Sequence, residues 1–330
     1  MSGSHPVIRV ESPTEARNPR TLAIDTLPTM GVLELLNDED AQVAPAVRAA
    51  LPALAEAVEA AVARYEAGGT IHYFGAGTSG RIGTLDAAEL PPTFSADPLR
   101  AIAHHAGGAV AVDRAVESAE DDRELGRIVA EDVAAGDIAV GLTASGRTPY
   151  VLGALEASKE VGALTVLVSS APGGRIAEVA DVHVFVDTGP EAIAGSTRLK
   201  AGTAQKMVLN SFSTAIMIRL GKTYSNLMVD VTHSNAKLRG RVLSILEEAT
   251  GAAEDDCARA LEGADGDVRT AIVILLAGAS AEAASAALER ADRHIRVAIA
   301  ELGADPTIIA STSGASGGAA ATTTVEVPME

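Results

Sequence analysis

The sequence predicts an α/β fold, a doubly wound parallel sheet flanked by helices, followed by a small all-helical domain. Three observations predict it. Strand-length apolar runs at Ile71 to Phe74, Arg100 to His104, Asp137 to Leu142, Leu164 to Val168 and Val182 to Val186 alternate with helix-length segments, as in a parallel sheet covered on both faces. Two of those runs end in glycine- and hydroxyl-bearing loops, Gly75-Ala-Gly-Thr-Ser-Gly-Arg81 and Thr143-Ala-Ser-Gly-Arg-Thr148. From Asn235 to Leu302 the chain is Ala-rich, helix-like, and broken at Gly251, Gly263 to Gly266 and Gly278.

Taken in order, residues 1–20 are polar and Pro-bearing, an arm expected to be ordered only by contact with another surface. Val32 to Glu66 reads as helices, with Leu51, Leu54, Ala55 and Val58 at helical spacing. The first strand feeds a helix that starts near Arg81. Pro91-Pro92 is expected to end that helix at Glu89, because a proline disfavours helical geometry at the residue before it. In Glu117-x-x-Glu120-Asp121-Asp122 the two glutamates are expected to share a helix face, and Asp122 to cap the next helix. Pro149 suits a first helical position after the second loop. Gly202 to Leu220 is a helix apolar on more than one face, hence buried or at a subunit contact. Ser311 to Glu330, biased to Ser, Gly, Ala and Thr, is expected to be disordered. The expected division is an arm at 1–20, a sheet domain at 21–235, a helical domain at 236–303 and a tail at 304–330.

Composition excludes several function classes. A net charge of −18 argues against a nucleic-acid partner, and four Phe, four Tyr and no Trp leave little for base stacking. A single cysteine, Cys257, rules out an internal disulfide framework and fits a reducing compartment. The opening Met-Ser-Gly-Ser-His-Pro has no apolar leader and no long uncharged apolar run follows, so the expectation is a soluble cytoplasmic protein without a membrane partner.

The loops describe an anion cradle. A strand ending in glycines exposes backbone N–H groups, the following helix presents its positive end, and Thr78 and Ser79 add hydroxyl donors, so a phosphate is the natural occupant. The hydroxyl loop after the third strand indicates one phosphorylated ligand held from two sides. Gly75-x-Gly77-x-x-Gly80 also fits a dinucleotide fingerprint, but the next strand, Arg100-Ala-Ile-Ala-His-His105, lacks the ribose-binding acid that this requires. No metal is expected, since the histidines are scattered and His104 and His105 point to opposite sides of a strand, in structural roles. Gly314-Ala-Ser-Gly-Gly318 lacks the strand and helix of a nucleophile elbow. Carboxylates remain for acid/base work. Glu89, at the negative end of its helix, is placed for a raised pKa and a general acid's role, or is a solvated helix-end residue. The knot around Glu120 holds a candidate base, or is a solvated charge cluster.

The chain resembles the N-acetylmuramic acid 6-phosphate etherases, members of the sugar isomerase (SIS) fold group. The resemblance rests on Asn37-Asp-Glu-Asp40, the Gly75 to Arg81 loop, Leu85-Asp-Ala-Ala-Glu-Leu-Pro-Pro-Thr-Phe94, Ala115-Val-Glu-Ser-Ala-Glu-Asp121, Ala144 to Gly153, Gly189-Pro-Glu-Ala-Ile-Ala-Gly-Ser-Thr-Arg-Leu-Lys-Ala-Gly-Thr-Ala-Gln-Lys206 and Asn226-Leu-Met-Val-Asp230. The long Gly189 to Lys206 block is shared chiefly with this family and the glucokinase regulatory proteins. The resemblance implies an SIS-type fold and cleavage of a D-lactyl ether to N-acetylglucosamine 6-phosphate and D-lactate, with no metal and no cofactor. It makes Glu89 the acid for the departing lactate oxygen and Glu120 the base at C2. It places Ser79, Thr143, Ser145 and Thr148 at the phosphate; Gly77, Thr78, Gly146, Ser196 and Lys200 complete the expected substrate contacts, with Arg198 and Lys200 open to enolate-stabilising, phosphate or structural roles. It also implies a homodimer and a C-terminal bundle of ubiquitin-associated type. Leu90 stands where many relatives carry Cys, Thr232-His-Ser234 departs from the family wording, and His233 is a candidate for ring opening. Two other readings share the cradle: a sugar-phosphate aldose-ketose isomerase, with a single base, and a non-catalytic sugar-phosphate regulator, which usually carries two such domains.

Overall fold

A computed structural model describes residues 12–114, 116, 118–230, 236–310 and 322–324. Glu117 and His233 lie outside the described residues. Two compact units are present, one formed by the described residues of Met1–Glu89 and Asp97–Ile216, the other by those of Leu90–Ala96 and Met217–Glu330.

The first unit opens with helices α1 (Thr29–Asp40) and α2 (Val43–Glu66). The buried stripe of α2 is Val47, Ala50, Leu54, Ala57, Val58, Ala61 and Val62, whereas Leu51 and Ala55, expected on that face, are exposed. Strands β1 (Ile71–Gly75), β2 (Ala101–His105), β3 (Ile138–Thr143), β4 (Leu164–Ser169) and β5 (Val182–Phe185) fall on the five predicted runs. They form one parallel sheet in the order β2-β1-β3-β4-β5. In that order the chain reverses direction across the sheet between β1 and β3, and ligands of such sheets bind in the crevice beyond the carboxyl ends of those two strands. Every residue of β1, β3 and β4 is buried, as in a sheet covered on both faces.

Helix α3 (Gly77–Phe94) follows β1 and runs through Pro91 and Pro92 instead of ending at Glu89. Leu90 and Phe94, four residues apart on one face, are both buried, and that packing outweighs the local cost of the prolines. Glu89 is therefore an exposed residue inside the helix, and its carboxylate does not stand at the negative helix end that was expected to raise its pKa. After β2 come the single turn α4 (Val110–Asp113), a 3-10 turn at Ala119–Asp121 and α5 (Arg123–Val129). Glu120 sits in that 3-10 turn, not on an extended helix. Ser118 before it has φ +67°, which breaks helical continuity. Asp122 caps α5 as expected, accepting from the Leu125 N–H at 2.9 Å. Helix α6 (Pro149–Glu160) starts on its proline, α7 (Arg175–Val179) links β4 to β5, and α8 (Lys200–Arg219) buries Ala201, Ala204, Val208, Leu209, Phe212 and Ile216 within the chain.

Residues near the end of the expected arm and just after it pack within this same unit. Thr14, Asn18 and Thr21 are buried; the Gly195 N–H donates to Thr14 O at 3.1 Å, and Thr21 Oγ1 donates to Ala192 O at 2.8 Å.

In the second unit a short hairpin, β6 (Thr223–Tyr224) with β7 (Leu227–Met228), precedes helices α9 (Ala236–Thr250), α10 (Glu254–Gly263), α11 (Val268–Ala277), α12 (Ala281–Arg290) and α13 (Ile295–Glu301). The helix ends fall near the predicted glycine breaks, and Gly278 caps α11 at φ +63°. These helices enclose a core around Val242, Leu246, Ile272 and Leu288. Within the expected tail, β8 (Ile308–Ala310) and β9 (Thr322–Thr324) pair antiparallel, and the other residues beyond 310 lie outside the described set.

Candidate active site

Both predicted loops flank the crevice between β1 and β3, because Gly75 and Leu142 are register partners at the carboxyl ends of those adjacent strands. The first loop turns at Gly77, whose φ of +54° favours glycine. It then starts α3, so the N–H groups of the first turn have no intrahelical acceptors. Gly80 is required by space: a methyl there would lie 2.4 Å from His105 Cδ2. Ser79 is buried and Thr78 half-buried. The same loop adjoins the first turn of α8, where a methyl on Gly202 would stand 3.3 Å from Thr78 Cγ2.

The second loop gathers its hydroxyls. Thr143 Oγ1 lies 2.8 Å from Thr148 Oγ1 and 3.4 Å from Ser145 Oγ, and Ser145 Oγ accepts from the Arg147 N–H at 3.3 Å. Thr148 precedes α6 without capping it, since its hydroxyl is turned to Thr143. Gly146 takes φ +68°.

A cavity of about 260 Å³ joins the first loop to the acidic segment. Gly77, His105, Arg81, Arg114 and Glu120 line it, so a ligand at the Gly77 loop lies beside the Glu120 carboxylate. Arg81 shapes this wall: its Nε donates to Val112 O at 2.7 Å and its Nη2 to Ala111 O at 3.0 Å. Both ring nitrogens of His105 face carbonyl oxygens, Nε2 at 3.0 Å from Gly77 O and Nδ1 at 2.8 Å from Ala106 O, so the ring braces the loop.

Other predicted residues lie elsewhere. Of the predicted residues only Gly77 and Glu120 line this cavity; Thr78, Ser79, Thr143, Ser145, Gly146, Thr148, Ser196, Lys200 and Glu89 do not. Lys200 Nζ donates to Glu39 Oε2 at 2.6 Å with both residues buried. Arg20 holds the Glu39 carboxyl down at about 2, helped by Lys200 and Asn18 and opposed by burial. The Glu191 carboxylate accepts from the Lys200 and Ala201 N–H groups at 2.9 and 3.0 Å and so occupies the start of α8. Burial pushes the Glu191 carboxyl up. Ser196 is half-buried and Arg198 exposed. Among the described residues no group of three or more His, Cys, Asp and Glu is placed to hold a metal ion.

Sequence reasoning missed two features. Arg114 belongs to no motif, and only its place just before Ala115-Val-Glu could have flagged it. Gln205, near the end of the Gly189 to Lys206 block, is 1% exposed, and neither of its amide atoms finds a hydrogen-bond partner among the described residues. Among the described residues Ser170 Oγ after β4 and Thr188 Oγ1 after β5 likewise lack a partner, so the second feature is this set of buried polar groups.

Residues 53–159, which carry β1 to β3, both loops, Glu89 and Glu120, match the family model of the glucokinase regulatory protein N-terminal SIS domain. Over 271 residues the chain is 60% identical to an N-acetylmuramic acid 6-phosphate etherase of Thermobifida fusca, covering 82% of this chain and 89% of that one. A Cutibacterium acnes protein of the same name is 52% identical over 267 residues, covering 80% and 88%. Among solved structures, a phosphoheptose isomerase from Francisella tularensis aligns with a TM-score of 0.45 at 20% identity, over 57% of this chain and 98% of that one. Identity at this level across four-fifths of the chain places it: the protein belongs to the N-acetylmuramic acid 6-phosphate etherase family.

Proposed function

We propose that this chain cleaves the D-lactyl ether of N-acetylmuramic acid 6-phosphate, as a cytoplasmic homodimer and without a metal or cofactor. The observation that carries the reading is the cavity shared by the Gly77 loop and Glu120, which sets an anion cradle beside a carboxylate. In the open-chain aldehyde the C2 proton is acidic and the C3 ether oxygen is a β-leaving group. Glu120 takes the C2 proton, the C3–O bond breaks, and an acid protonates the departing lactate oxygen. Water then adds at C3 and a proton returns to C2, giving N-acetylglucosamine 6-phosphate and D-lactate. The hydroxyls of Ser79, Thr143, Ser145 and Thr148 anchor the phosphate in this scheme, with Gly77, Thr78 and Gly146 shaping the cradle.

Glu89 supplies the acid, and it does so across the dimer. It stands twelve residues after Gly77 on α3, about 18 Å along the axis at ~1.5 Å per residue. That is longer than a hexose 6-phosphate bound at the same chain's loop. An exposed apolar strip, Leu22, Leu27, Met30 and Leu33, supports the association. Incubation with N-acetylmuramic acid 6-phosphate and an assay for D-lactate tests the reaction; isomerised sugar phosphate without lactate would overturn it. Mixed Glu89→Gln and Glu120→Gln protomers should regain lactate release through hybrid dimers, and light scattering at one chain's mass would rule the dimer out.

A further inference from the structure

The cavity beside Gly77 is lined by two arginines, Arg81 and Arg114, against one carboxylate, Glu120, in a chain whose net charge is −18. A cationic pocket in an acidic protein is built for anions. The two arginines are not equivalent. Arg81 spends its Nε and Nη2 on the carbonyls of Ala111 and Val112, with a longer 3.4 Å approach to Arg114 O, and so fixes that segment to the first turn of α3. The Arg114 side chain leaves this anchored backbone exposed, lines the cavity, and makes no hydrogen bond or ion pair among the described residues. Its guanidinium is a fixed fork of donors that matches a carboxylate in two parallel bonds.

Resting on the reading above, the substrate carries two anions, the 6-phosphate and the carboxylate of its lactyl ether, and the hydroxyl loops provide for only the first. We propose that Arg114 binds the lactyl carboxylate and is the residue that selects acidic 3-O-ethers over neutral ones. It thereby holds the ether in the same cavity as Glu120.

The test compares N-acetylmuramic acid 6-phosphate with its lactyl carboxamide on the wild-type protein, Arg114→Ala and Arg114→Lys. Loss of one charge-assisted contact should raise KM for the acid about 10-fold to about 150-fold in Arg114→Ala. KM for the carboxamide should move less than about twofold, and Arg114→Lys should recover part of the loss. The exposed side chain predicts an unchanged thermal midpoint, which separates this outcome from misfolding. Equal weakening of both ligands would make Arg114 a phosphate contact and overturn the proposal, as would an unchanged KM for the acid. If the wild-type protein releases neither lactate nor lactamide, the reaction assigned above fails. The ligands then stay intact, and calorimetric Kd ratios for the same pairs decide the role of Arg114.

Discussion

Lys200 Nζ donates to Glu39 Oε2 at 2.6 Å across 161 positions of sequence, with the two side chains 1% and 3% exposed. The pair locks the start of α8 to the end of α1, and Arg20 and Asn18 complete the hydrogen bonding of the acid. A buried carboxylate with three donors is stable as a set and costly to break singly.

Glu39→Gln should therefore lower unfolding free energy by about 3–5 kcal/mol, because the Lys200 ammonium is left buried without an acid. Lys200→Met should cost about 3 kcal/mol or less, since Arg20 still serves Glu39. Urea unfolding measures both. A Lys200→Met protein of full stability with a raised KM would instead make Lys200 a substrate contact.

Ser79→Ala and Ser145→Ala should each raise KM with the fold intact. The loss per hydroxyl is about 1.5–3 kcal/mol, or about 10-fold to 150-fold, the worth of one hydrogen bond to a charged phosphate. Steady-state kinetics with circular dichroism as the folding control decides this, and an unchanged KM in both variants would sink the two-loop cradle.

Glu89→Gln and Glu120→Gln should fail at different steps. The first should lose lactate release by about 10²-fold to 10⁴-fold yet still exchange the C2 hydrogen with D₂O, whereas the second should lose both. NMR of the recovered sugar phosphate reads the exchange. Exchange that survives in Glu120→Gln and vanishes in Glu89→Gln would reverse the roles.

Stability should fall on mild acidification through one buried and two half-buried histidines. Burial pushes His72, His104 and His183 down, His104 to about 4, with His72 at 2.9 Å opposing its charge as well. A folded pKa below the unfolded value of ~6.5 means that the unfolded chain binds more protons in between. The contribution is whole above pH 6.5 and shrinks as pH falls toward 4. By pH 5 His104 alone should cost about 2 kcal/mol, at ~1.36 kcal/mol per pKa unit. Denaturant midpoints at pH 7 and pH 5 test this on the wild-type protein and His104→Gln, which keeps a hydrogen-bonding group without titrating. Equal pH slopes in the two proteins would refute it.

The sheet and both loops were legible in the residues themselves. Their signals are local: apolar runs of strand length, glycines where φ turns positive or space is short, and hydroxyls within six residues of a strand end. Helix starts at Pro149 and Asp122 were legible for the same reason, since a cap and its helix are neighbours in sequence. Tertiary structure alone decided what depended on distant partners. Pro91 and Pro92 read as a stop, but burial of Leu90 and Phe94 carried α3 past them. Sequence alone left Lys200 open between substrate and structural roles, and only the fold brought Glu39 from α1 to pair with it. Arg114 carried no pattern at all, and only the tether from Arg81 and the return of the chain at Glu120 made it a wall of a cavity. Propensity and capping are set by a few neighbouring residues, whereas burial and charge pairing depend on which remote groups the fold brings within a few ångströms.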